Sequence, residues 1–213
     1  MAGVPRQLDH LVLATPDFER TVSDLEARLG VTFSPGGRHP AWGTRNAILP
    51  LSDATYLEVI GPDLPAAVPP KVFGIETLST ARLVTWAVKR THLADVCARA
   101  RADGIDLGFP NRGSRVRPDG STLEWELTDP FASREGGVLP FFIDWHGENH
   151  PAAALETEVT LIAFHARHPE PHRIQSQLRA LGLEVVVQSG PVPSLVAVLR
   201  TGTGDVVLEH QAG

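Results

Sequence analysis

The sequence predicts an α+β fold built from three successive βαβββ units. Two observations predict it. Three one-sided helical stripes each follow an apolar strand, and each stripe ends in a glycine followed by a short extended stretch. Behind every one of these come two further strand signals.

The first unit opens on "HLVLAT" at 10–15. Residues 17–29, DFERTVSDLEARL, place Phe18, Val22, Leu25 and Leu29 at i, i+4, i+7 and i+11, the spacing of one helix face. Pro16 and Asp17 start that helix, and Gly30 can end it as a left-handed cap. "LGVTF", "NAILPL" and "TYLEVI" complete the unit. The second opens on "LVTWAV" at 83–88. Its helix runs from Thr91 to Asp103, with Leu93, Val96, Cys97 and Ala100 on one side and Gly104 behind it. "DGIDL", "TLEWEL" and "LPFFIDW" follow. The third opens on "TLIAFHA" at 160–166. Its helix follows Pro169 and Pro171 and turns Ile174, Leu178 and Leu181 inward before Gly182. "LGLEV", "SLVAVLR" and "DVVLEH" close it. A helix covers only one face of its sheet, so the other face must be buried against another unit or cup something.

Pro-rich segment 61–71 and segment 146–158 separate the units. The expected organisation is therefore 1–151, holding units at 8–62 and 82–147, and a further unit at 156–213. At 213 residues, 42% apolar and 21% charged, the chain can build a real core. Its net charge of −6 and lack of a basic block argue against nucleic acid. No run approaches roughly 18 apolar residues, so no membrane span is expected. A single cysteine, Cys97, cannot form an intrachain disulfide. With no signal-peptide layout at the start, the expectation is a soluble cytoplasmic protein. No G-x-S-x-G elbow, P-loop or G-x-G-x-x-G is present.

Paired βαβββ units, with a histidine on the first strand and a carboxylate on the last, resemble the vicinal oxygen chelate superfamily. "DHLVLATPD", "GGRHPAWGTRN", "YLEVIGPD", "GSRVRPDG" and "PFFIDWHGENHP" resemble its glyoxalase-like domain family, over residues 8–151. The resemblance implies that two units pair into a cupped mixed sheet, with the third appended. It implies a metal inside the cup. His10 matches the first-strand histidine, Glu58 the last-strand carboxylate, and Asp144 falls at the same place in unit two. Glu209 falls there in unit three. The implied cofactor is a divalent ion (Mg, Mn, Fe, Ni or Zn), or none. The first strand of unit two, Leu83 to Ala87, supplies no fourth ligand, which makes a poor zinc site.

Other residues stand out by their chemistry. The loop at 36–46 carries His39, Arg45 and Asn46, and polar groups on such loops often contact ligands. Arg115 and Arg117 alternate beside a tight glycine turn and can grip a carboxylate or a phosphate. Trp86 and Trp145 lie on predicted strands, as core or as an apolar pocket wall. His150 can move a proton near neutral pH. Glu58, Asp144 and His150 are thus the catalytic candidates. The expected function is an isomerase-, lyase- or dioxygenase-like enzyme acting on a small anionic, oxygen-bearing substrate. A metal would polarise a carbonyl or enediolate oxygen. The alternative is a metal-free binding protein using the same cup. The third unit, with no internal partner in an even pairing, is expected either to pack on the back of the pair or to join a second chain in a homodimer.

Overall fold

The computed structural model describes residues 3–64, 68–117, 120–132, 134–147, 150–153, 155–156 and 158–209. The first unit runs β1 (Leu8–Ala14), α1 (Phe18–Leu29), β2 (Ser34–His39), β3 (Thr44–Ser52) and β4 (Thr55–Pro62). The second runs β5 (Arg82–Lys89), α2 (Leu93–Ala102), β6 (Pro110–Val116), β7 (Thr122–Thr128) and β8 (Phe141–Asp144). The third runs β9 (Thr160–His168), α3 (Pro171–Ala180), β10 (Val186–Ser189), β11 (Ser194–Thr201) and β12 (Gly204–Glu209). The predicted order of elements holds in all three, but the second strand of each begins after the expected extended stretches at 29–33, 103–107 and 181–185. β2 and β6 occupy segments expected as a loop at 36–46 and a glycine turn around Gly113, because ladder pairing across the barrel extends these glycine-containing stretches.

Local chemistry sets the helix ends. Asp17 caps α1 by accepting from the Arg20 backbone N–H, and Gly30 closes it at φ 71°, in the left-handed region. Leu25 and Leu29 are the fully buried part of its predicted stripe, while Phe18 and Val22 pack at its edge.

The first two units close into one eight-stranded barrel in the order β1-β4-β3-β2-β6-β7-β8-β5. In each, the first strand lies parallel to the last, β1 with β4 and β5 with β8. An antiparallel β1–β5 ladder forms one join. The other, β2 to β6, rests on the single pair Arg38 and Val116. Strand alternation then sorts side chains between inside and outside. Val12, Ile60, Val84, Ala87, Leu123, Trp125, Leu127, Phe141, Ile143 and Trp145 fill the interior.

The third unit has the expected element order but weaves it differently. Its sheet reads β10-β9-β11-β12, so its first strand pairs with its second rather than its last. It is a four-stranded sheet laid on the outside of the barrel, with β11 and β12 against β5. Trp86 sits at that junction, its ring 5.2 Å from Phe164 and its Nε1 donating to the Val138 carbonyl. The expectation that Trp86 walls a pocket is corrected here. The side chain shares the outward face of β5 with Leu83 and Val88, in the layer between barrel and third sheet.

Candidate active site

Inside the barrel, a polar network interrupts the apolar filling. It starts from a bulge. Leu8 pairs with Val88 and His10 with Ala87, so β1 carries an extra residue at Asp9. The bulge lets two sequence neighbours meet: His10 Nδ1 lies 2.7 Å from Asp9 Oδ1. Asp9 is fully buried, and Trp145 Nε1 donates to its other oxygen at 2.9 Å. His150 Nε2 approaches that same oxygen at 3.4 Å. Burial alone would raise the Asp9 pKa, but hydrogen bonds and attraction from His10 and His150 hold it well below the usual carboxylate range. Asp9 therefore stays ionised and fixes the His10 ring.

His10 in turn stacks on Tyr56, with ring centroids 4.6 Å apart and planes 14° from parallel. Tyr56 belongs to β4, paired with His10 in parallel register, and one inward step along β4 brings Glu58. Burial first, then the Glu58 and Asp9 charges, push the Tyr56 phenol well above its ordinary value, so it remains protonated. His10 Nε2 lies 3.6 Å from Glu58 Oε2. Asn46 Nδ2, from β3, donates to the other Glu58 oxygen. Arg115 Nη1, from β6, donates to Asn46 Oδ1 at 3.3 Å. His39 lies in the same interior, its Nδ1 3.0 Å from Thr44 Oγ1 and its ring edge-on to Trp125.

So the structure brings together His10, Glu58, Asn46, Arg115, Trp145 and His150, with His39 nearby. It does not bring Asp144 to them. On β8, Phe141 and Ile143 point inward, and Asp144 alternates outward opposite Glu126. There it accepts from the His146 backbone N–H. The expected triad of His10, Glu58 and Asp144 is corrected by that parity. Arg45 also points outward, over the Phe18 ring and paired with Glu19. Arg117 donates to Ser121 beyond the end of β6. With Arg38, these two border an outer groove of about 450 Å³ between α1 and β2–β3. Glu209 pairs with Arg167 in the third unit, remote from the network.

The donor set decides how a metal would fare. No group of three or more His, Cys, Asp or Glu able to hold an ion occurs among the described residues. His10 and Glu58 are two donors, and His10 Nδ1 is already engaged by Asp9. Unit two faces the interior with Val84, Ala87, Phe141 and Ile143, none of them a ligand. These residues do not fit a divalent ion, which needs more oxygen or nitrogen ligands than two. Asp9 and Tyr56 are the members of this network that sequence reasoning missed. The "DH" dipeptide carried no signal, because alternation places sequence neighbours on opposite faces unless a bulge intervenes.

Comparison with known proteins agrees with this architecture. A family model described as a glyoxalase-like domain matches residues 8–182. None of the curated proteins matches significantly. Among solved structures, a hypothetical protein from Staphylococcus aureus is 13% identical, with a TM-score of 0.65 over 97% of this chain and 86% of that one. A mutant of 4-hydroxymandelate synthase from Streptomyces coelicolor is 16% identical, with a TM-score of 0.53 over 96% of this chain and 62% of that one. Methylmalonyl-CoA epimerase from Mycobacterium tuberculosis is 20% identical, with a TM-score of 0.41 over 67% and 90%. At such identities the two structures with TM-scores above 0.5 speak to the fold alone, and the family assignment rests on the match across most of the chain. The chain belongs to the glyoxalase-like domain family.

Proposed function

We propose that this protein is a proton-transfer enzyme of isomerase or lyase type, acting on a small anionic, oxygen-bearing substrate inside the barrel. One observation carries the reading. With its Nδ1 engaged by Asp9, His10 turns Nε2 toward Glu58 Oε2, so two groups able to carry a proton converge 3.6 Å apart in a buried site. Two bases sharing one space can take a proton from one atom and return it to another. Glu58, oriented by Asn46, is the base for a C–H beside a carbonyl. His10, oriented by Asp9, passes the proton on. His150, on the far side of Asp9, is a positioning residue and not a base. A metal is not part of this reading, because the donor set does not fit one.

A holding protein is the second reading. The largely apolar lining that unit two gives the interior, with Val84, Ala87, Leu123, Trp125, Leu127, Phe141 and Ile143, favours it. Proton exchange separates the two. Small oxo and hydroxy acids are incubated with the protein in D2O, and loss of C–H signal is followed by NMR. Catalysed exchange is expected for at least one acid. It should fall roughly 100-fold or more in Glu58→Gln and in His10→Gln, the usual worth of a positioned acid or base. Folding of both variants is checked by circular dichroism. Binding without exchange by the wild-type protein would leave only the holding reading.

A further inference from the structure

Arg115 is buried inside the barrel at 6% exposure, and its guanidinium is nearly unused. A guanidinium has five N–H donors. Among the described residues Arg115 makes one hydrogen bond, from Nη1 to Asn46 Oδ1, and its Nε is buried with no partner. Among the described residues no carboxylate forms an ion pair with it; Asn46 stands between it and Glu58. A buried cation without an anion is costly, and the fork of Nε and Nη matches a carboxylate in two parallel bonds. The surroundings are built to keep this fork in place. A Cβ at Gly36 would come within 2.1 Å of Asn46 Oδ1 and 2.8 Å of Arg115 Nη1. Bare glycine backbone therefore closes over the pair.

The same carboxamide touches both ends of the site. Its oxygen accepts from Arg115 and its nitrogen donates to Glu58. An anion on the Arg115 fork and a proton on its way to Glu58 are thus separated by little more than one amide group. We infer that Arg115 binds the substrate's own carboxylate, and that the substrate is a short 2-oxo or 3-oxo carboxylic acid whose acidic C–H lies no more than two carbons from that carboxylate. This rests on the proton-transfer reading and names its substrate class. The C–H bond breaks, its electron pair moves into the enolate between that carbon and the carbonyl oxygen, and the proton goes to Glu58. Burial lowers the pKa of Arg115, while the Glu58 charge opposes the shift. An incoming carboxylate restores the balance that burial disturbs.

Isothermal titration of the full chain tests this with pyruvate, methyl pyruvate, acetoacetate and 6-oxoheptanoate. The two short acids should bind. The neutral ester and the long acid should bind at least tenfold more weakly. Arg115→Met should weaken pyruvate and acetoacetate at least tenfold, and Arg115→Lys less. If Arg115→Met fails to fold by thermal melting, Gly36→Ala reads the same geometry with the charge kept, and should also weaken both acids. Equal binding of the ester or the long acid overturns the proposal. So does unchanged binding in the folded variants, or no binding of either short acid. Glu58→Gln separates the two claims. Binding that depends on Arg115 without any exchange defeats the proton-transfer reading alone; exchange that ignores Arg115 defeats the substrate class alone.

Discussion

His39 shows how much one buried side chain can record. Its ring lies 5.5 Å from Trp42 and edge-on to Trp125, and it is 3% exposed. Burial first, then the Arg115 charge, push its pKa from 6.5 to about 3. The sign follows from linkage. Below the ordinary value the unfolded ring binds a proton that the folded ring refuses, so stability is intact above pH 6.5 and falls as pH drops toward 3. The slope is at most about 1.4 kcal/mol per pH unit. His39→Gln, which can keep a bond to Thr44, should flatten the fall between pH 6.5 and 4.5, measured as urea midpoints. Parallel slopes in the two proteins would refute the assignment. Asp9 acts in a separate window. Its lowered pKa adds stability that is present above its ordinary value of 3.8 and lost as pH falls below it. The sequence exposed His10, Glu58, Asn46 and Arg115 because each is a polar residue in an apolar or glycine-rich setting. Asp9 escaped because nothing local announces a bulge.

At the scale of elements, the helices were legible because a 3.6-residue period and a capping glycine are local signals. Strand partners were not, because pairing is decided between residues far apart in sequence. "FFID" looked like "YLEV" by its aromatic lead-in, yet what matters is parity: Ile143 faces Leu127 inside and Asp144 faces Glu126 outside. The third unit repeats the element order and still pairs β9 with β10. The barrel itself has an uneven rim. The β1–β5 ladder pairs six residues on each strand, whereas β2 and β6 share one pair. Amides with few ladder bonds open most easily. Hydrogen exchange should therefore be faster at Arg38 and Val116 than at Leu11 or Trp86. A bound oxo acid, touching Arg115 one residue from that seam, should slow exchange there first. Uniform protection around the barrel would contradict this.

For the whole molecule, the question is whether the third unit is a separate body or part of one core. A single apolar cluster runs from Leu11, Trp86 and Val88 of the barrel to Phe164, Ala166, Leu195 and Leu199 of the third sheet. Polar ties reinforce it. Arg173 of α3 grips Glu135 through both guanidinium ends, at 2.7 and 2.8 Å, and Arg28 of α1 donates to the Val207 carbonyl. The segment that Glu135 begins is itself tightly fitted: a Cβ at Gly137 would lie 1.7 Å from the Val84 carbonyl. Such a layer couples the units, so unfolding should be one cooperative transition. Phe164→Ala removes the ring that meets Trp86 and should cost about 3–5 kcal/mol. That cost should lower the whole transition and not split it, followed by Trp fluorescence for the barrel and far-UV circular dichroism for the entire chain. If the third unit were independent, the variant would melt in two steps, with the barrel midpoint unchanged. A chain ending before β9 would strip the third sheet, with Phe164, from the outward face that carries Trp86 and Val88 and expose that part of the layer to water. Loss of at least roughly 25 cal/mol for every Å² of apolar surface so exposed predicts that this shortened chain aggregates or fails to fold. A monomeric, cooperatively folded product would show instead that the barrel stands alone.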